Sequence, residues 1–411
     1  KEYQKALEVA DRLNKNLPNK LEVFIIQGFA FQGLENKQRS VSVFEKALDI
    51  APGNPIAAAS LASFALAENN VKRAKELYQV VLTHDPDHVR TLLLLAQLEA
   101  RLGHSEQAEQ LVAQAMQKFP DNAMTHHNFA RLYVQFKINT LAITEIKKAL
   151  KFETDNPRYL FLYAKLLAYD GKFLASQSIL KKLAVAYPEK TAPIEFGGRI
   201  ALAQNKPEEA ILLFEQAYAL NRLPAVAIQL ATAQIKAKKN QEALQTLVNQ
   251  IKQSPTDILL RAFYADHLRK LDKVDEAILQ YKEVIRQQPG RETINVRNNL
   301  AWQLFVKGNI AAASNQAKQA HEMVPSEPNI MDTYAVILMK QKKYPKASVL
   351  LKKANEILPE DLAISFHLAQ AYVGLNKNQQ AQKILKKLLS QGRKFKEQDQ
   401  AKNLLNALQT K

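Results

Sequence analysis

Apolar residues recur along this chain at the three- and four-residue spacing of a helical face. Phe24, Gln27, Gly28 and Phe31 share one such face, and Phe44, Ala47 and Leu48 form a second after a polar break. The pattern predicts two amphipathic helices per unit, and prolines show how long a unit is. Pro18, Pro52, Pro86 and Pro120 fall 34 residues apart, Pro188 lies two periods on, and Pro255, Pro289, Pro325 and Pro359 follow at close to that spacing. Twelve residues before these prolines stands a small residue: Ala6, Ser40, Ala74, Ala108, Ser176, Ala243, Ala277, Ala313 or Ala347. Twelve before that comes another: Gly28, Ala62, Ala96, Ala164, Ala231, Ala265, Ala301 or Ala335. Where the proline is displaced the register persists, with Ala130 and Ala142, Gly198 and Ala210, and Ala369 and Ala381 in the same places.

Small residues are needed where two helices cross closely, and proline ends one hairpin where it cannot continue a helix. One hairpin cannot bury its own apolar stripe, so neighbours must stack. The expected fold is therefore all-α. Gly28, Phe31, Ser40, Phe44, Ala47 and Pro52 carry the pattern, as do Ala369 with Tyr372 and Gly198 with Ala210, Phe214 and Ala217. It resembles the tetratricopeptide repeat (TPR), a 34-residue helical hairpin that stacks into an α-α superhelix. On this reading residues 1–18 are the second helix of a truncated repeat, 19–393 are eleven hairpins in one continuous superhelix, and 394–411 are a capping helix. Ala401, Leu404, Leu405 and Leu408 form the apolar face of the cap. An opening inside a hairpin sets the expectation that the chain is a piece of a longer protein. Two extra residues near Gly290–Ile294 predict a loop, and the late Pro157 and Pro224 predict shifted turns.

Composition narrows the function. Among 411 residues there are 11 Gly and no Cys, which excludes disulfides, thiol nucleophiles and thiolate metal sites. So little Gly predicts few positive-φ turns. Lys1 to Leu13 are amphipathic and do not read as a signal peptide. A net charge of +17 favours acidic partners or anionic surfaces. Residues 376–411 hold nine Lys/Arg against two Asp/Glu, but they lack an aromatic stacking platform, which argues against nucleic acid.

No catalytic or cofactor motif emerges. There is no phosphate loop, no G-x-G-x-x-G, no H-E-x-x-H and no nucleophile elbow. His84 and His88 straddle Pro86, and His126 and His127 point to different faces, so no metal constellation forms. The expectation is a non-enzymatic chain without cofactor or metal.

The TPR resemblance implies a concave groove lined by first helices, with groove positions three and four residues before the crossing residue and one after it. The last of these gives Arg131, Lys165 and Arg199, each 34 residues from the next. Phe161 and Phe196 come from the same helices. Such a ladder suits a carboxylate-rich peptide or an anionic polysaccharide, unless the cations form a solvated face or pair with Glu195 and Asp266. Downstream, Asn295, Asn298, Asn299 and the single Trp302 share one first helix, and the next adds Asn329 and Asp332. These offer amides and an indole to a peptide backbone or to a sugar, or else Trp302 packs between repeats.

Asn298-Asn299-Leu300-Ala301-Trp302, His321, Pro325, Met331-Asp332-Thr333-Tyr334, Phe366-His367-Leu368-Ala369 and Leu388-Leu389-Ser390-Gln391-Gly392 form a second signature. Over residues 294–408 the chain resembles the TPR lipoproteins of bacterial PEP-CTERM/exosortase systems. That resemblance implies a protein-interaction scaffold for exopolysaccharide or surface-protein export. It also implies a periplasmic or outer-membrane location through an N-terminal lipid anchor that this chain does not carry. A cytoplasmic adaptor for acidic client peptides, or the recognition arm of a larger enzyme such as a glycosyltransferase, stays open.

Overall fold

A computed structural model describes residues 2–16 and 18–409. Lys1, Leu17, Thr410 and Lys411, which fall within the expected first and last segments, lie outside the described residues. Among the described residues there are 24 α-helices and no strand. No helix there is long and apolar enough to cross a membrane. The chain divides into two compact units, Lys1–Pro188 and Glu189–Lys411.

Unit 1 opens with α1 (Glu2–Asn16). Paired helices follow: α2 (Leu21–Gly33) with α3 (Lys37–Ile50), α4 (Pro55–Ala67) with α5 (Val71–His84), and α6 (Val89–Arg101) with α7 (Ser105–Met116). Then come α8 (Ala123–Gln135) with α9 (Asn139–Phe152) and α10 (Pro157–Tyr169) with α11 (Phe173–Ala186). Unit 2 pairs α12 (Thr191–Ala203) with α13 (Pro207–Leu220), α14 (Pro224–Lys236) with α15 (Asn240–Gln253), and α16 (Ile258–Lys270) with α17 (Val274–Gln287). It continues with α18 (Ile294–Val306) and α19 (Ile310–Met323), α20 (Pro328–Lys340) and α21 (Tyr344–Ile357), and α22 (Leu362–Gly374) and α23 (Asn378–Ser390). The last helix is α24 (Gln398–Gln409).

The small residues sit at the crossings. Ala62, Ala96, Ala130, Ala231 and Ala265 are wholly buried, as are Ala74, Ala108, Ala142, Ala243 and Ala277 on the facing helices. A Cβ added to Gly28 would lie 2.5 Å from the Phe44 ring, and one added to Gly198 would lie 2.8 Å from Phe214. Both rings are fully buried, so neither can turn aside without opening the core. Where serine replaces alanine on the second helix, its hydroxyl is satisfied across the crossing. Ser40 Oγ donates to the Gly28 carbonyl at 2.8 Å, and Ser176 Oγ to that of Ala164 at 2.7 Å.

The turns depart from the composition-based expectation. Seven residues after each crossing position the backbone enters the left-handed region, in every one of the eleven hairpins. Only Gly103, Gly171 and Gly308 are glycine. Glu35, Asn69, Lys137, Asn205, Lys238, Asp272, Lys342 and Asn376 hold φ between 56° and 63°. Positive-φ turns are thus frequent despite the shortage of Gly. The reason lies in how the first helix must end. The Asn36 N–H reaches back to the Phe31 carbonyl at 2.9 Å and the Glu35 N–H to that of Gln32 at 3.0 Å, a closure that needs a left-handed residue. Packing of the hairpin outweighs the ~1–2 kcal/mol that a side chain adds there. In three hairpins the residue after it is an asparagine that caps the second helix. Asn36, Asn70 and Asn309 accept from the N–H groups of Arg39, Arg73 and Ala312 at 3.2, 3.1 and 3.2 Å.

The two extra residues before α18 are taken up by a 3-10 turn of three residues, Arg291–Thr293, where Thr293 Oγ1 donates to the Gly290 carbonyl at 2.8 Å. Pro157 and Pro224 open α10 and α14 at their first position, where no N–H is required. Four residues before the crossing, three hairpins replace an apolar side chain with a polar brace. His126 meets Glu145 at 2.6 Å, Arg261 meets Gln280 at 2.7 Å and Arg297 meets Gln316 at 3.2 Å, each partner lying on the facing helix.

Candidate functional site

In unit 1 the first helices α2, α4 and α6 line one cavity of about 810 Å³. Phe29 and Ile56 form its apolar wall with Ala59 and Leu66, and both larger side chains are more than 40% exposed (45% and 44%). Arg90, Gln97 and Arg101 complete the lining from α6. The residue one position after the crossing runs Phe29, Ser63, Gln97, Arg131, Lys165 along the five first helices. That series grades from apolar to cationic.

Arg131 is exposed and Lys165 half-buried. The Lys165 ammonium lies 6.0 Å from the centre of the Phe161 ring. Burial first, and then the charges of Arg131 and Arg158, lower the pKa of His127, which packs on Tyr159 at 4.8 Å. Near the cavity, burial raises the Tyr78 phenol pKa while the charge of Arg101 opposes it. Among the described residues, no carboxylate lies within ion-pair distance of Arg90, Arg101, Arg131, Arg158 or Lys165. Cations left without counter-charge beside an apolar wall can take a ligand that brings both carboxylates and an apolar side chain.

In unit 2 most of the expected groove residues are engaged with neighbouring side chains. Arg199 is exposed, with its guanidinium 5.5 Å from the Phe196 ring centre, but Phe196 is only 5% exposed and belongs to the core rather than to an open wall. Asn299 Nδ2 donates to Asp266 Oδ1 at 2.9 Å, and the Tyr281 hydroxyl donates to the same oxygen at 2.5 Å. Arg269 Nε stands 4.0 Å from that carboxylate. Asp332 accepts from His367 Nδ1 at 2.7 Å, with both side chains less than one-fifth exposed. Burial would lower the His367 pKa, but the hydrogen bond to Asp332 and its charge outweigh that, and the pKa lies above the usual imidazole value. Trp302 packs on Phe305 at 5.5 Å and is half-buried. Asn329 turns to Glu327 at 3.3 Å, Asn295 is exposed, and Asn298 Oδ1 is buried without a partner.

The apolar end of the unit 1 groove was not anticipated from the sequence. Its signal was present, since Phe29 and Ser63 occupy the same register as Arg131 and Lys165.

Hairpins crossing at small residues, with their first helices lining a ligand-sized cleft, define a helical-repeat binding scaffold. Tetratricopeptide repeat models match residues 38–98, 65–126, 338–408 and 197–258. The chain belongs to the tetratricopeptide repeat family, whose members are in general non-enzymatic protein-interaction scaffolds. It is 31% identical over 152 residues to the type IV pilus assembly protein PilF of Pseudomonas aeruginosa, covering 35% of this chain and 58% of PilF. It is 28% identical over 151 residues to pre-mRNA-splicing factor 6 of Saccharomyces cerevisiae, covering 36% of this chain and 17% of that protein. The chain thus spans less than two thirds of either relative. Among solved structures, yeast Tom70 aligns over 95% of this chain and 96% of its own at 16% identity, with a TM-score of 0.44.

Proposed function

We propose that this chain is a peptide-binding scaffold of a bacterial cell-envelope export or surface-assembly system. In this reading the unit 1 groove holds an acidic partner segment anchored by an apolar side chain. The observation that carries it is the cavity of about 810 Å³, in which exposed Phe29 and Ile56 face Arg90 and Arg101, cations without a carboxylate partner. The relationship to PilF, itself a pilus assembly protein, supports the envelope setting, as do the C-terminal motifs around Asn298–Trp302 and Phe366–Ala369. The location that goes with it is the periplasm or the outer membrane, through a lipid anchor.

Fluorescence anisotropy with a labelled glutamate-rich peptide carrying one leucine tests the groove. Arg90→Glu with Arg101→Glu is expected to weaken binding at least tenfold, and Arg131→Glu with Lys165→Glu less. The control pair Lys386→Glu and Lys387→Glu changes net charge equally and is expected to leave binding within twofold. Added salt should weaken the contact, because exposed charges are screened over ~8–10 Å. Equal losses from groove and control pairs would rule the groove out. Fractionation of the source cells tests the location, and recovery in the cytosol alone would overturn it.

A further inference from the structure

The second helices of unit 2 carry a different surface. Residues 340–396 hold thirteen Lys/Arg against three Asp/Glu, a concentration of positive charge outside the groove described above. On α21, Lys346, Val349, Leu350 and Lys353 follow one another at i, i+3, i+4 and i+7, so they share one helical stripe. Val349 is 68% exposed, at a register that holds Gln245 and Lys383 in two other repeats and the exposed Leu212 and Leu279 in two more. Beside the stripe lies a cavity of about 460 Å³. Val349, Leu350, Lys346 and Pro345 form one wall, and Tyr334, Leu338 and His321 of the preceding helices form the rest.

His321 adds an independent mark. Its Nδ1 is buried and has no hydrogen-bond partner. Burial first, then the charge of Lys353, lowers its pKa. The neighbouring carboxylate, Glu322, is held 3.4 Å from Lys318. Among the described residues, neither Lys346 nor Lys353 has a carboxylate within ion-pair distance.

We propose that this cavity on the second-helix face of unit 2 is a second docking site, for an acidic protein segment that seats one aliphatic side chain between two carboxylates. Seven residues of helix set Lys346 and Lys353 about 10 Å apart along the axis, at ~1.5 Å per residue. A partner strand shows every second side chain on one face, so carboxylates two residues to either side of an aliphatic residue stand ~13 Å apart at ~3.3 Å per residue, close enough for the flexible lysine side chains to meet both. The apolar pocket favours a protein segment over a polysaccharide or a nucleic acid, which would bring charge without an aliphatic anchor. The site shares no residue with the unit 1 groove, so one scaffold could hold two partners.

The test is isothermal titration of the full chain with a synthetic peptide carrying leucine between two pairs of glutamates. A second peptide has serine in place of leucine. The unit 1 variant Arg90→Glu/Arg101→Glu is used as background, so that failure of the groove reading does not affect the result. Saturable binding is expected, weakened at least tenfold by the serine peptide, by Val349→Asp, and by Lys346→Glu with Lys353→Glu. Lys383→Glu with Lys386→Glu should change it less than twofold, and circular dichroism should show that every variant remains helical. Equal binding of both peptides, equal losses from the two lysine pairs, or no saturable binding would overturn the proposal. So would Val349-dependent capture by phosphatidylserine vesicles in place of the peptide, because the face would then be a membrane contact.

Discussion

The first helices of the two units occupy the same register yet present opposite chemistry. In unit 1, Arg90 and Arg101 stand beside open apolar surface, and among the described residues neither they nor Arg131 have a carboxylate within ion-pair distance. In unit 2, the corresponding helices tie their polar groups together, Asp266 to Tyr281 and Asn299, and Asp332 to His367. Polar groups that satisfy one another between repeats stiffen the stack and offer less to a ligand, whereas unmatched ones keep their capacity for a partner. A repeat array therefore distributes stability and recognition by pairing the polar side chains of some first helices and leaving those of others unpaired.

The comparison assumes one scaffold in both units, and its largest test lies at the crossings. Gly28→Ala puts a carbon 2.5 Å from the Phe44 ring and is expected to lower stability by about 2–3 kcal/mol. At Gly197 an added Cβ meets only Leu213, at 3.5 Å, so Gly197→Ala should be neutral or stabilising by up to about 1 kcal/mol. Chemical denaturation measures both. If Gly28→Ala melts with the parent, the close crossing in unit 1 is misplaced.

Next comes the paired cluster of unit 2. Asp266→Ala leaves the buried Tyr281 hydroxyl without its acceptor and should destabilise by about 1–2 kcal/mol. Adding Tyr281→Phe removes the orphaned hydroxyl, so the double variant should lose less than the sum of the singles. Strict additivity in that cycle would mean that the cluster is not a unit.

A smaller effect follows pH. His367 titrates above its ordinary value of 6.5 in the folded chain, so its contribution is complete below 6.5 and is lost as pH rises through the folded pKa. The melting temperature of the parent should exceed that of His367→Gln at pH about 5.5, and the gap should close toward pH 8. A gap that widens with pH would mean that Asp332 does not hold the imidazolium.

The smallest concerns unit 1. Since Arg131 helps to depress the His127 pKa, Arg131→Ala should move the imidazole titration upward, toward its ordinary value, as followed by NMR. An unmoved titration would show that Arg131 is turned away from the groove.

The helical period, the 34-residue register and the small residues at the crossings were legible in the sequence, because each follows from local spacing and from the volume that two close helices allow. The cationic ladder was legible as a periodicity, but its use was not. Asn299 was expected to offer its amide to a ligand and instead donates to Asp266, 33 residues back; Asp332 is taken by His367, 35 residues on. Neither pair falls on the repeat period, so counting along the chain could not find them. The left-handed turns were likewise invisible in composition, because Lys137, Glu35 and Lys238 are held there by the packing of the hairpin and not by any preference of their own. The sequence by itself determined which faces are buried. Only the tertiary structure decided which groove side chains are left over for a partner, because that depends on how side chains from successive helices meet in space.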